Sequence, residues 1–318
     1  MATASANTNT FSRPGVLMQD NFADVLDSRF AFIQRRKWGV PIQGLKYWQQ
    51  RNTSRAYEMH GYASAGGIVP KARDVDPIPQ MHVIPGFNNT YTPEEFKLGI
   101  RIGERLRETD QYSVVDRHMS DLLQAGTDTI ELYAALPFNT TFDSVVEWTC
   151  ADGMNLVDSA RPAEGPGVAS WSNLETSAAL SPESIATMRL NFRKNVNEWG
   201  RKRPLKMETL VVGADLEDTA EVALTTPKKV GTDLNDNSVF AQRKLKLEVW
   251  DYLTSTTGWF GFGAKNDLHE LYWYWGVRPG VKPYDCGNPD VRAYRMRMVF
   301  VTGADRPMNV RGNDGIGS

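Results

Sequence analysis

The residue types that do most protein chemistry are sparse in this chain and poorly spaced for it. The four histidines, His60, His82, His118 and His269, follow no metal-ligand spacing. His269-Glu270 begins like a zinc-protease helix, but Trp273 stands where the second histidine would have to be. No catalytic metal is expected. Asp233-Leu-Asn235-Asp-Asn237 imitates the start of a calcium loop, yet position six is Ser238 and position twelve is Lys244. Calcium needs a glycine turn and a bidentate carboxylate there. Gly258-Trp-Phe-Gly261-Phe-Gly263 is glycine-rich, but Asn266 replaces the last glycine of a dinucleotide fingerprint and no helical pattern follows. No Gly-x-Ser-x-Gly elbow or phosphate-binding loop occurs. Cys150 and Cys286 are too few for a disulfide framework and read as reduced thiols.

Two groups of side chains remain. Trp259, Trp273 and Trp275 could stack on a sugar, but aromatic residues alternating along a strand read first as sheet core. Arg292, Arg295 and Arg297 could grip phosphate, but one strand face of arginine reads first as pairing with acids of a neighbouring element or subunit. A carbohydrate-binding module and a hydrolase with a distant carboxylate pair stay open as alternatives.

The elements that would position these residues follow from periodicity. Residues 1 to about 20 read as an arm, and residues 22 to 36, with Phe22, Val25, Leu26, Phe30, Phe32 and Ile33, as a short amphipathic helix ending in the basic Arg35-Arg36-Lys37. Proline and glycine recur from Arg51 to Pro93 and exclude helix there; Tyr57-Met59 and Met81-Val83-Pro85 suit the strands of a long hairpin with no core of its own. Phe96, Leu98, Ile100 and Ile102 alternate as a strand. Apolar residues at three- and four-residue spacing then predict a long helix over 110–136, ended by Pro137, with Gly126 as a bend. Ser181-Pro182-Glu183 opens a helix carrying Ile185, Met188, Phe192, Val196 and Trp199 on one face and stopped by Gly200. Leu210-Val212 reads as a strand, and Asp215 as the cap of a helix to about Leu224. The last third is β-rich, ending in a clean alternation over Val291–Thr302 and a Gly- and Asn-rich tail from Asn309. The fold class is α+β.

Composition narrows the function. The chain has 318 residues, 23% charged and 41% hydrophobic, so global disorder is excluded. A formal net charge of -2 argues against a strongly basic nucleic-acid binder. No apolar run reaches the roughly 18 residues of a membrane span, and Met1–Thr10 lacks the pattern of a signal peptide.

Element order carries the strongest signal: arm, long hairpin, strand into a spine-length helix, loop, helix, strand, helix, strands. This order resembles the HK97-like major capsid proteins of tailed phages, with some likeness to the Mu-like major head subunits. Several pieces carry the resemblance. Leu106-Arg-Glu-Thr-Asp110-Gln111-Tyr112 resembles the acidic approach to the family's spine helix. Ala151-Asp152-Gly153, Arg161-Pro162 and Ser172-Asn173 resemble the loop after it, although the Mu-like version has His-Pro at 161. Leu180-Ser-Pro-Glu-Ser-Ile185, Leu210-Val-Val212, Leu216 and Ala220 resemble the axial domain, and Gly303-Ala-Asp305-Arg306 the end of the last strand.

The resemblance implies a non-enzymatic shell subunit without cofactors. It implies an N-terminal arm over 1–50, an extended loop over 51–100, a peripheral domain from 101–180 and 291–318, and an axial domain over 181–290, with 228–240 as an axial loop. Lys71, Arg73, Asp74, Asp76, Arg101, Arg105, Glu108, Arg295 and Arg297 become candidate intersubunit contacts. Some members join lysine to asparagine covalently; Lys71 lies in the corresponding loop, with no identifiable partner. The implied partners are further copies in hexamers and pentamers, a separate scaffolding protein, a portal and a decoration protein, around double-stranded DNA. The implied location is the virion, assembled in the bacterial host cytoplasm. An encapsulin-like compartment is the nearest alternative.

Overall fold

The computed structural model describes residues 42–66, 69–71, 78, 80–109, 114–143, 147–162, 169–196, 201–225, 245–264, 271–288 and 290–317. In chain order its elements are β1 (Gln49–Asn52), β2 (Glu58–Gly66), β3 (His82–Tyr91), β4 (Glu94–Gly103), α1 (Glu104–Thr109), α2 (Val114–Asn139), α3 (Pro182–Lys194), β5 (Met207–Val212), α4 (Glu217–Thr225), β6 (Lys246–Val249), β7 (Trp259–Gly263), β8 (Leu271–Tyr284), β9 (Val291–Ala304) and β10 (Val310–Asn313). The expected helix over 22–36 and the loop 228–240 lie outside the described residues. Two compact units form: one gathers Gly99–Gln124 with Val281–Arg295, the other Ile42–Leu98, Ala125–Gly280 and Met296 onward.

In the larger unit one sheet runs in the order β10-β7-β5-β6. β5 and β6 are parallel, so the chain must cross over between them, and α4 lies on that connection. β7 is antiparallel to both β5 and β10. Ile185, Met188 and Phe192 of α3 and Ala220, Ala223 and Leu224 of α4 pack with Leu210, Val212 and Trp259 of the sheet into one apolar core. β10 makes a strand of the Gly- and Asn-rich tail that begins at Asn309. All four of its residues are buried, and a Cβ at Gly312 would sit 2.9 Å from Val157 and 3.1 Å from the Phe260 ring. The glycine there answers to close packing.

A second sheet runs β1-β8-β9-β4, with β1 parallel to β8 from Gln49 opposite Tyr272 to Asn52 opposite Trp275. The predicted alternation of β9 holds: Tyr294, Met296, Met298 and Phe300 are buried, and Arg295 and Arg297 are exposed. In the larger unit Phe300 stacks on Phe96 and on Trp273, each with ring centroids 4.6 Å apart. In the smaller unit Val115, Met119, Leu122 and Leu123 are buried on α2, and the N–H of Glu104 donates to the carbonyl of Asp290.

Helix boundaries differ from the sequence reading for local reasons. The long helix opens at Val114, residues 110–113 lying outside the described set, and runs 26 residues to Asn139. Pro137 therefore sits in its last turn, where it removes one backbone donor, and Thr140 still donates back to the carbonyl of Leu136. Gly126 serves close approach: a Cβ would lie 2.2 Å from the Met296 sulfur. α3 starts as expected, with Ser181 and Ser184 capping each other reciprocally. It stops at Lys194 because Val196 pairs with Lys202 and the N–H of Arg203 donates to the carbonyl of Asn195. Asp215 lies inside a 3-10 turn over Ala214–Leu216, and α4 begins only at Glu217.

Candidate functional site

The most distinctive surface among the described residues is the hairpin of β2 and β3. These strands pair antiparallel from Glu58 opposite Tyr91 to Gly66 opposite His82, with a break in register between Gly61 and Ala63. They form a sheet of two strands only. Met59 and Met81 are each 65% exposed and Val83 57%, while Val69 and Ile78 in the connection are 91% and 85% exposed. Two strands alone are marginal in water, and exposed methionine, valine and isoleucine on them offer an apolar surface for another molecule.

The hairpin root is firmly held. Asp305 accepts the Tyr91 hydroxyl at 2.7 Å and meets His60 Nδ1 at 2.9 Å. His60 Nε2 bonds the Tyr274 hydroxyl. The His60 ring stands edge-on to Tyr91, Tyr272 and Tyr274, and the Arg51 guanidinium lies 4.6 Å from the Tyr272 ring centre. Burial, reinforced by the Asp305 charge, holds the Tyr91 hydroxyl protonated well above its ordinary range.

A second anchor fixes the strap Gln43–Trp48 ahead of β1. Glu131 of α2 is 3% exposed, and its carboxylate accepts the backbone N–H groups of Gln43 and Gly44 and the Trp250 indole N–H. Burial pushes this carboxyl above its ordinary value against the pull of those donors. Glu248 behaves oppositely. Burial raises it, but Lys246, Lys46 and the Tyr47 hydroxyl together outweigh that and bring it down to about 2.

The third feature is a buried polar knot in the loop after α2. Arg161 is fully buried; it bonds Asp152, the Asn173 side-chain oxygen at 3.0 Å and the carbonyl of Leu156 at 2.7 Å. Its guanidinium also lies 5.4 Å from the Trp171 ring centre, as does that of Arg306. The sequence pieces around Asp152, Arg161, Asn173 and Arg306 thus converge in space. A guanidinium offers five donors, which explains how arginine serves at 161.

The predicted contact residues separate. Lys71 is exposed in the hairpin connection, whereas Arg73, Asp74 and Asp76 lie outside the described residues. Arg101 is exposed on β4 and donates to the Tyr284 hydroxyl, which raises its pKa. Arg105 is exposed on α1; Glu108 lies on the same helix, its side chain outside the described set. Arg295 is exposed, while Arg297 bonds Glu95, which Lys97 also reaches at 2.6 Å. Trp259, Trp273 and Trp275 are at most 3% exposed, so they serve as sheet core and offer no stacking platform. Sequence reasoning passed over Glu131, although its spacing of three and seven residues from Ala134 and Phe138 places an acid on the apolar face. It also passed over His60 as the partner of Asp305, a pairing 245 residues apart.

Comparison with known proteins agrees with this geometry. The profile of the phage capsid protein family matches residues 88–312, and the chain belongs to that family. It has the HK97-like fold of tailed-phage major capsid proteins. Among solved structures it resembles the procapsid of bacteriophage JBD30 at 12% identity and a TM-score of 0.51, covering 93% of this chain and 76% of that one. The capsid of cyanophage P-SCSP1u is similar at 10% identity and a TM-score of 0.53, over 84% and 86% of the two chains. The holo-SrpI encapsulin complex of Synechococcus elongatus PCC 7942 is similar at 9% identity and a TM-score of 0.50, over 87% and 88%. No curated protein matches the sequence.

Proposed function

We propose that this capsid subunit has no enzymatic role and builds hexamers and pentamers that close an icosahedral phage head around double-stranded DNA. The head assembles in the bacterial host cytoplasm with a scaffolding protein and a portal, with or without a decoration protein, and matures by expansion from a procapsid. The observation that carries this reading is the β2–β3 hairpin. It presents Met59, Met81, Val83, Val69 and Ile78 to solvent, so its stable resting place is another copy of the chain. A net charge of -2 suits a wall that encloses DNA without gripping it. Expansion then amounts to two packings of one subunit.

Electron microscopy and sedimentation of the purified protein, alone and with co-expressed gene neighbours, test this directly. Shells or capsomers are expected; a species that stays monomeric throughout sinks it. Removal of residues 61–85 should leave a folded, soluble subunit that no longer makes stable shells. The SrpI likeness supports a second reading, a protein-packaging compartment. Shells filled with protein cargo, without portal or DNA, would favour that one.

A further inference from the structure

Strand β5 carries opposite charge at its two ends. Before it, Arg193 and Lys194 are exposed in the last turn of α3. The bridge between Val196 and Lys202, with the Arg203 N–H bonded to the Asn195 carbonyl at 2.7 Å, folds Arg201 and Lys202 back beside them. Lys206 adds a side chain 70% exposed, reaching Glu208 only at 3.9 Å. After β5 the sign reverses. Asp215, Glu217, Asp218 and Glu221 are all exposed, and no basic residue occurs between Gly213 and Thr225. Each end also carries an exposed aliphatic side chain on the same helical face as its charges. Leu190, 52% exposed, precedes Arg193 and Lys194 by three and four residues; Val222, 57% exposed, follows Asp218 by four.

We propose that these two ends meet between neighbouring copies in a capsomer, the basic end of one subunit against the acidic end of the next. The proposal rests on the shell reading above and names the surfaces that close its rings. Six residues of strand put the two ends of β5 about 20 Å apart. A two-fold contact centred on either end would set like against like, and one centred midway would pair both ends within a closed dimer and leave none to build a ring. A head-to-tail contact sets unlike against unlike at every interface and closes into a ring. Complementary charge sets orientation and register, and the aliphatic pair lies between the charges.

Charge reversal tests it. Arg193→Glu, Lys194→Glu, Lys202→Glu and Lys206→Glu together make both ends acidic; Asp215→Lys, Glu217→Lys, Asp218→Lys and Glu221→Lys together make both basic. Circular dichroism first establishes that each variant folds like the wild type. Alone, each should need at least about tenfold more protein for half-assembly. A chain carrying both sets of reversals should assemble again, with its charge polarity inverted. An equimolar mixture of the two variants is more telling. Its rings must alternate, so six-membered rings, sheets or tubes should form, while five-membered rings and closed shells should not. Variants that assemble like wild type, a mixture that gains nothing, or a mixture that forms closed shells would overturn the inference while leaving the shell reading intact. A wild-type chain that forms no capsomers removes the shell reading and this contact with it.

Discussion

Glu131 offers a direct test of how the strap Gln43–Trp48 is held. One carboxylate oxygen accepts the Gly44 N–H at 2.9 Å and the Trp250 indole N–H at 3.2 Å, and the other accepts the Gln43 N–H. Glu131→Gln keeps the shape but leaves one acceptor oxygen for three donors. At best the amide oxygen keeps Gly44 and Trp250 while its NH2 faces the Gln43 N–H. Leaving one buried donor unsatisfied costs about 1–3 kcal/mol, so local exchange of the strap amides should speed up about 5- to 150-fold. Glu131→Ala strands all three donors and should cost about 3 kcal/mol or more.

The pH dependence has a definite sign. Burial holds the folded-state pKa of Glu131 above its ordinary 4.5, so the native state binds the proton more tightly than the unfolded chain. That contribution to stability is fully present below 4.5 and falls as pH rises through the shifted value. Glu131→Gln lacks it, so the gap between wild type and Glu131→Gln should be narrower at neutral pH than at pH 4. Hydrogen exchange of the peptide 42–50, followed by mass spectrometry at both pH values, reads each effect. Unchanged protection in both variants refutes the argument that this carboxylate fastens the strap, and a gap that widens with pH refutes the sign drawn from its burial.

Three further outcomes are expected. Arg161→Met should lower subunit stability by about 3–5 kcal/mol in thermal or urea melts, because the Asp152 side chain, 6% exposed, loses its cation; a near-wild-type melt would show the knot to be dispensable. Gly303→Ala puts a Cβ 2.1 Å from the Tyr91 ring and must move that ring off Asp305, so the hairpin should be cut faster by protease and shell yield should fall with the circular dichroism spectrum unchanged. Glu248 contributes stability that is present above 4.5 and lost as pH falls toward about 2; Glu248→Gln should flatten the acid-denaturation profile in that window and cost roughly 2–3 kcal/mol at neutral pH.

What the sequence revealed was whatever depends on neighbours along the chain. The alternation of β9, the Ser181-Pro182 start of α3 and the coreless hairpin all follow from local period and chemistry. Their failures share a cause. Gly126 looks like a bend, and Gly312 like one more residue of a Gly- and Asn-rich tail, because nothing local reveals that Met296 and Phe260 press against them. Val196 and Trp199 continue the helical period past Lys194, but the pairing of Val196 with Lys202 takes the backbone away. The anchors were hardest to see. Glu131 meets residues 87 and 119 positions away, and Arg161 becomes intelligible only once Asp152, Asn173 and Trp171 surround it.

The turn at the end of β9 joins two of these anchors, and that bears on how the hairpin can move. Gly303 makes room for Tyr91, the Ala304 carbonyl accepts the Ala151 N–H at 2.9 Å, Asp305 holds Tyr91 and His60, and Arg306 lies over Trp171 beside the Arg161 knot. Swinging the hairpin about its root would break two bonds to a carboxylate, each worth about 1.5–3 kcal/mol. Just beyond His60 the ladder is weaker. Its register breaks between Gly61 and Ala63, and Pro85, opposite Ala63, has no N–H to give. A hairpin that changes angle on its neighbour should therefore bend at 61–63 and 85–88 while its root stays closed. Hydrogen exchange on assembled shells before and after expansion checks this: amides of 58–60 and 89–91 should keep their protection, and those near 61–63 should change. Opening of the root first would mean that Asp305 is not the pivot.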